Sequence, residues 1–403
     1  MQSRPSPITH RVHSVAVKGA TGLNVHIYPS NLNNESRIFK IAKSIVRNGI
    51  FAKVEVFGKH EHGLAEREAL TENVELVRLT ASAFGLKGTP ARVLKVLTWY
   101  GRAFKALLRV RPNCINAHSL PVLPLCAVAK IITGARLVYD THELETEVMR
   151  SKGLLRVLYK FTEAAFIGFC DEISVVNAEI ADWYKRRYGF ERVWVVENVP
   201  EIKEVPPERS GALRSALCIA EEDLIFLYQG LLSDGRGLRK LLNVFRDVPN
   251  DRHLVVMGYG PLAQEIKKAS AELANVHYHD AVPVDQLPAF TVDADVGFSL
   301  IENACQSYYL SLPNKVFEYM SCGVPVIASD FPVTKRVLES KACGWIITPQ
   351  EDAIRNLVSS ISREDIVLKS RLAKTARETI GWKYQEIELT RMYSRLLTNI
   401  PLK

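Results

Sequence analysis

The residues with the clearest chemical purpose lie between Leu310 and Asp330, where Ser311, Asn314, Lys315 and Glu318 precede Gly323 and the apolar run Val324-Pro-Val-Ile-Ala328. Pro313 suits the first position of a helix, because its missing N–H costs nothing there. The free amides of Asn314 and Lys315 would then point out of the helix start toward any anion, and the Lys315 ammonium adds a full charge. Glu318 follows one turn later, within reach of a ribose hydroxyl of a nucleotide lying across that start. Gly323 ends the helix, and the apolar run resumes as a buried strand. The chemistry this order serves is phosphate binding. The plain alternative is an ordinary amphipathic helix closed by a glycine.

Such a helix needs a scaffold, and the rest of the chain describes one. Short apolar runs alternate with helix-length periodic segments from end to end, the pattern of parallel sheets covered on both faces by helices. Strands are expected near 24–28, 51–57, 74–79, 114–117, 136–139, 172–176 and 193–196 in the first half. In the second they are expected near 224–228, 253–257, 276–279, 296–300, 324–328 and 344–347. Two doubly wound α/β domains follow, 1–200 and 201–380. The hinge falls at Asn198–Arg209, where Val199-Pro200 and Val205-Pro206-Pro207 break any period. Beyond Pro349 only helical periodicity continues, and 381–403 forms a last helical segment.

Parallel sheets collect their strand ends at one edge, and several polar motifs fall there. Tyr228-Gln-Gly230-Leu-Leu-Ser-Asp-Gly235-Arg236-Gly237 follows a strand and opens a helix; it is no P-loop, since Arg-Gly stands where Lys-Ser/Thr is needed. Val255-Val-Met-Gly258-Tyr-Gly260 and Val276-His-Tyr-His279 end the next two strands. In the first half, Leu137-Val-Tyr-Asp140-Thr-His142-Glu143 and Asn116-Ala-His118 are strand ends, and Asn31-Leu-Asn-Asn-Glu-Ser-Arg37 follows the first strand. Asp293-Ala-Asp295 mimics a metal-binding pair but precedes a buried strand.

The 310–330 stretch resembles the nucleotide-sugar site of GT-B glycosyltransferases, in particular the family 4 enzymes, whose helix reads roughly "fEYmacGxPVia". The resemblance covers nearly the whole chain. It implies two Rossmann-like domains facing a central cleft, with 1–200 taking the acceptor, 201–380 the nucleotide sugar, and 381–403 returning as a helix to the first domain. The implied activity is metal-independent transfer of a sugar, with retention, from a nucleotide diphosphate sugar of UDP type to a lipid-linked or polysaccharide-precursor acceptor. No cofactor is expected. Donor contacts fall on Gly230, Arg236, Gly258, His279, Ser311, Asn314, Lys315 and Glu318. His142, the cleft histidine, and Asp140 beside it become the catalytic residues, while Asn31, Arg37 and His118 face the acceptor; Arg37 would meet an anionic one such as a lipid diphosphate.

Two departures qualify the match. Leu231 stands where the family places an arginine and Arg236 where it places a lysine, so the diphosphate clamp passes to Arg236 and Lys315. Leu310 stands where the first of two paired glutamates belongs, with Glu302 as a replacement through a longer excursion. A branch of bacterial polysaccharide glycosyltransferases reading "yalPnKlfeYmaaG" shares the second departure, so the chain reads as an active variant. The rival readings are a sugar-nucleotide epimerase of the same fold, which needs no acceptor, and a catalytically silent subunit that binds lipid or a partner.

The bulk composition agrees with a globular protein of this size. The chain has 403 residues, 47% hydrophobic and 24% charged. It has no apolar run of about 18 residues, and Met1–Lys18 lacks the apolar region of a signal peptide, so the expectation is a cytoplasmic protein, peripheral on the inner face of the cell membrane. Seven scattered cysteines read as small buried hydrophobes. The net charge of +8 sits in the first half, and no acidic residue occurs from Leu76 to Tyr139. In that window Ala91–Arg109 reads as a helix with Val93, Leu94, Val96, Leu97, Tyr100 and Phe104 on one face, and Arg92, Lys95, Arg102, Lys105 and Trp99 on the other. The basic face with its tryptophan suits an anionic membrane surface, and a plain helix packed on a sheet is the alternative. No nucleic-acid module accompanies it, so nucleic acid is not an expected partner.

Overall fold

The computed structural model describes residues 22–33, 35–83, 85, 87–149, 151–201 and 209–398. Met1–Lys18 and the Val205-Pro206-Pro207 part of the expected hinge lie outside them. The first half forms an eight-stranded sheet from β1 (Leu23–Ile27), β2 (Lys53–Lys59), β3 (Arg67–Thr71), β4 (Val74–Leu79), β5 (Cys114–His118), β6 (Arg136–Asp140), β7 (Glu172–Val175) and β8 (Trp194–Val195). Their order is β3-β4-β2-β1-β5-β6-β7-β8, parallel except for β3. Helices α1 (Ser36–Arg47), α2 (Gly88–Val110), α3 (Leu123–Thr133), α4 (Gly153–Phe166) and α5 (Ala178–Tyr188) cross between the strands.

The second half forms a parallel six-stranded sheet from β9 (Leu224–Leu231), β10 (Arg252–Tyr259), β11 (Val276–Asp280), β12 (Val296–Ser299), β13 (Val326–Ser329) and β14 (Gly344–Ile347), in the order β11-β10-β9-β12-β13-β14. Its helices are α6 (Ala212–Leu217), α7 (Leu238–Val244), α8 (Ala263–Glu272), α9 (Leu287–Thr291), α10 (Gln306–Tyr309), α11 (Asn314–Ser321), α12 (Pro332–Lys341), α13 (Glu351–Ser360) and α14 (Arg363–Arg377). The last helix, α15 (Trp382–Leu397), packs on α1 in the first half. There Trp382 Nε1 donates to Ser44 Oγ at 2.7 Å, and Asn116 Nδ2 donates to Tyr393 Oη at 2.6 Å.

Central strands are buried on both faces, as their continuous apolar character demands; Leu224 through Tyr228 in β9 are all buried. One face of the first sheet packs on α2, α3 and α5 through residues such as Trp99, Ala127 and Tyr184. Its other face packs on α1 and α15 through Ile41, Ile45 and Leu389. The α5 start is capped by Asn177, whose Oδ1 accepts from Ile180 N, and α14 starts with a Ser362/Asp365 capping box.

Three expectations change. Strand β3 was not foreseen, because Arg67-Glu-Ala-Leu-Thr71 is a mostly exposed edge hairpin with no apolar alternation to announce it. Trp99 is not on an exposed basic face. It is fully buried and donates from Nε1 to the Gly58 carbonyl at 2.9 Å, while Val93, Val96 and Leu97 are exposed. The helix turns this way because Ala91, Ala103 and Leu107 let it lie close to the sheet, and the indole finds a carbonyl to satisfy its N–H. Among the cysteines, all free, Cys218 is exposed where a buried position was expected.

Candidate active site

The helix expected to face a phosphate forms, with Pro313 one position earlier than expected, at the N-cap of α11. Asn314 is exposed at its start, and Ser311 Oγ donates to the Tyr308 carbonyl at 2.8 Å, bracing the preceding loop. Lys315 turns inward. Its Nζ lies 3.7 Å above the Tyr228 ring and 4.0 Å from where a Gly230 Cβ would stand. A Cβ there would make only ordinary contact with the ammonium, and what calls for glycine is the φ of +117°. Burial, with Arg236 nearby, pulls Lys315 down to about 7. A lysine kept dry beside a second cation would be stabilised by a nearby anion.

Arg236 is half-buried, donates from Nε to Ser233 Oγ at 3.2 Å, and acts on both Lys315 and the Tyr228 hydroxyl. Leu231 is exposed at the position of the absent arginine. The cations over this helix start are thus Arg236 and Lys315. Gly258 allows β10 to end against β9, since a Cβ there would lie 1.9 Å from the Gly230 carbonyl. The register sets Gly230 beside Gly258 and Gly258 beside Asp280. His279 stands at the exposed end of the edge strand, bonded through Nδ1 to the Asp280 carbonyl at 2.6 Å. Its ring is 5.1 Å from Phe290, so the structure sets it at the rim and not beside the cations.

Glu318 is oriented by a residue the sequence reading did not single out. Gln229 Nε2 donates to Glu318 Oε2 at 2.8 Å, and Gln229 Oε1 accepts from Thr291 at 2.9 Å, which fixes the amide's direction. Burial raises the Glu318 pKa, against the opposing pull of Gln229, Lys315 and Lys40. The signal for Gln229 was present in its place beside Gly230.

Across the cleft, Asp140 is fully enclosed. Its Oδ1 accepts from Arg37 Nη2 at 2.6 Å and Ser174 Oγ at 2.5 Å, and its Oδ2 from Arg37 Nε at 3.0 Å and His118 Nδ1 at 2.9 Å. Burial would raise this carboxyl, but Arg37 and the histidine hydrogen bonds hold it well below the usual range. Burial pulls His118 down to about 4 and His26 well below the usual imidazole value, so both rings are neutral. The His118 contact is therefore a hydrogen bond from a neutral ring and not an ion pair. With Nδ1–H given to Asp140, His118 accepts at Nε2 from His26 Nδ1 at 2.8 Å.

This corrects two acceptor-side assignments. Arg37 is 4% exposed, and its guanidinium is taken by Asp140 and by the Val196 carbonyl at 2.5 Å, so it has no free face for an anionic acceptor. His118 is fully buried behind Asp140. Both hold Asp140, and Asp140 in turn braces His142, whose Nε2 is 3.4 Å from Oδ2. His142 is the member of this group with access to the cleft, and its ring lies 5.2 Å from Tyr28. Asn31 stays at the rim, donating to Glu61 at 2.6 Å. His118, Asp140 and His142 are close enough to share a cation, but the Asp140 oxygens are already occupied and Arg37 brings a positive charge against them.

The two halves meet around α10. Leu310 packs on the first core, and its carbonyl accepts from Asn177 Nδ2 at 2.7 Å. Ser307 Oγ donates to Glu143 Oε2 at 3.2 Å. Next to Ser307, the Tyr308 ring covers Gly235. Glu143, quoted in the strand-end motif but given no part, is thus the carboxylate that reaches across to this loop. Glu302 is held instead by Lys240 at 3.4 Å. Asp293 accepts from Ser210, Gly211 N and Leu213 N, and Asp295 from Arg214, Arg209 and Ile225 N, so that pair serves the fold.

Comparisons with known proteins find two family matches in series along the chain. A model of glycosyl transferases group 1 matches residues 211–379, and one of glycosyltransferase family 4 matches residues 35–199. The chitobiosyldiphosphodolichol beta-mannosyltransferase of Candida albicans is 24% identical over 311 residues, 69% of this chain and 67% of that protein. The protein of the same name from Kluyveromyces lactis is 23% identical over 381 residues, 83% and 81% of the two chains. Among solved structures, a sucrose-phosphate synthase from Thermosynechococcus elongatus superposes with a TM-score of 0.74 at 14% identity, over 94% of this chain and 100% of that one. HepE of Anabaena in complex with UDP-glucose gives 0.71 at 14% identity, with the same coverage.

Proposed function

Because this chain belongs to the GT-B glycosyltransferases, with family 4 and group 1 domains in series, we propose that it moves a sugar from a nucleoside diphosphate donor, UDP by preference, to a lipid-linked acceptor. The observation that carries the donor side is the buried Lys315, set with Arg236 at the start of α11. A donor diphosphate there neutralises both cations, and the same groups stabilise the charge that grows on the departing nucleotide. Glu318, aimed by Gln229, orients the ribose. The acceptor class follows the two fungal relatives, whose names specify a dolichol diphosphate substrate. The same reading has the enzyme working at the inner membrane face, with the basic first half against anionic lipid. No metal is required in it, since Arg236, Lys315 and the helix amides supply the positive charge.

Retention, by attack on the face that the leaving phosphate vacates, accompanies the family 4 resemblance and asks for no protein base. A second stereochemistry is favoured by one observation. His142 stands at the acceptor edge with Asp140 behind it, the arrangement of a general base that would deprotonate an attacking hydroxyl and invert the centre. The anomer of the first-formed product, read by NMR, decides between them.

The test of the whole reading is a thermal-shift panel with UDP, GDP, ADP, CMP and NAD. A nucleoside diphosphate at about 100 times its dissociation constant adds roughly 2.7 kcal/mol to the folded state. Selective stabilisation by one diphosphate, abolished in Lys315→Ala, is the expected result. No shift with any of them would overturn the donor site.

A further inference from the structure

Helix α4 is built inside out. Its sequence, Gly153-Leu-Leu-Arg-Val-Leu-Tyr-Lys-Phe161, has the apolar spacing of a core-facing helix, yet Leu154 is 85% exposed, Phe161 71% and Val157 61%. The one buried residue of α4 is Glu163. Its carboxylate accepts from the hydroxyls of Tyr139 and Tyr184 on Oε1, at 2.9 and 2.7 Å, and of Tyr188 on Oε2 at 2.7 Å. Three tyrosines from the core thus hold the helix by its acidic residue and leave its apolar residues facing out. The neighbouring helices continue the surface: Ile131 and Ile132 of α3, and Val93 and Leu97 of α2, are exposed as well. So many exposed apolar side chains on three adjoining helices mark a surface that something covers.

Charge identifies the cover. Glu163 is the only acidic residue in α2, α3 or α4. Around the apolar residues stand Arg92, Lys95 and Lys152, while Arg156 and Lys160 share the single buried carboxylate of Glu147. An apolar centre with a cationic rim and no exposed acid fits the acyl boundary and phosphates of an anionic bilayer. We propose that α4, with the exposed sides of α3 and the start of α2, is a membrane-insertion face, in which Leu154, Val157, Leu158 and Phe161 enter the acyl boundary and the rim cations meet lipid phosphates. This rests on the lipid-linked acceptor reading and goes beyond charge attraction, because it assigns the contact to apolar insertion and places it on α4. The segment after β6 that carries His142 leads directly into α4, so insertion brings the acceptor edge of the cleft down to the membrane.

The test uses the full chain with phosphatidylcholine vesicles, with and without phosphatidylglycerol. Wild type sediments with the anionic vesicles, and part of that binding persists at high salt because apolar insertion is not screened. The double variant Leu154→Ser/Phe161→Ser binds at least tenfold less, whereas Val367→Ser/Leu368→Ser, exposed apolar residues on α14, binds as wild type. Phe161→Trp shows a blue-shifted emission that brominated acyl chains quench. An unchanged thermal shift with nucleoside diphosphate verifies that each variant is folded and separates this proposal from the donor site. Equal sedimentation of wild type and the Leu154/Phe161 variant overturns the proposal. So does a solution dimer that this variant dissociates, since a second copy would then be the cover.

Discussion

A buried lysine that loses its proton near neutrality makes donor binding depend on pH in a way few other sites would. Lys315 falls from 10.5 to about 7, chiefly through burial, a difference of about 5 kcal/mol between its charged and neutral forms. In the free enzyme the folded state therefore binds fewer protons than the unfolded chain between about pH 7 and the usual lysine value. Stability is lowered in full below that window and recovers as pH rises through it. A bound diphosphate reverses the balance by holding the ammonium charged. From pH 7 to pH 9 the ligand's own ionisation is nearly complete, so binding must supply the missing proton. Apparent affinity for the nucleoside diphosphate then falls about fifty-fold, about 2.3 kcal/mol. Titration calorimetry in buffers of different ionisation enthalpy should show uptake rising from about half a proton at pH 7 to nearly one at pH 9. Lys315→Met supplies the control, because an apolar chain of similar length removes the buried charge. It should melt no lower than wild type at pH 7 while losing both the affinity and its pH slope. A flat affinity across this range in wild type, or the same slope in Lys315→Met, would refute the reasoning.

Four other substitutions probe separate parts of the structure. Glu318→Ala should lower kcat/KM by at least tenfold, about 1.4 kcal/mol, with wild-type transfer rates sinking the ribose assignment. Glu143→Gln, at the contact with Ser307, should reduce kcat/KM for the sugar nucleotide about tenfold and leave affinity for the bare nucleoside diphosphate unchanged; equal losses in both would make Glu143 a structural residue only. Asp140→Asn leaves the buried Arg37 without its anion and should cost about 3–5 kcal/mol in denaturant unfolding, with a loss under about 1 kcal/mol arguing against the pairing. Trp99→Ala should cost about 3–5 kcal/mol, since the indole fills the first core. A membrane-facing Trp99 would instead leave stability in solution almost unchanged.

The architecture was legible because its signals are local. Parallel strands buried on both faces read as short apolar runs, and thirteen expected strands have counterparts within a few residues of their observed bounds; the exposed β3, Arg67–Thr71, had no such run. Helix α11 was legible for the same reason, since Pro313, Asn314, Lys315, Glu318 and Gly323 lie close together in the chain. Gln229 and Glu143 were harder, because the first matters only through a contact 89 residues away and the second only across the cleft.

What the amino-acid order determined alone was the alternation of strand and helix, the strand ends that carry polar residues, and the helix start with its lysine. These follow from periodicity and backbone chemistry within a few residues. The tertiary structure decided which polar residues would be exposed and which enclosed. Arg37 at the start of α1 and His118 at the end of β5 are as polar as His142, yet packing of β1, β5 and β6 against α1 buries them around Asp140 and leaves His142 open. The same holds for helix faces. Nothing in the spacing of α2 told Trp99 to turn inward, nor of α4 to turn its leucines outward; the Gly58 carbonyl and the three tyrosine hydroxyls around Glu163 did. A side chain's chemistry is written in its residue type, but its burial, and with it the pKa of Lys315, belongs to neighbours that only the folded chain brings together.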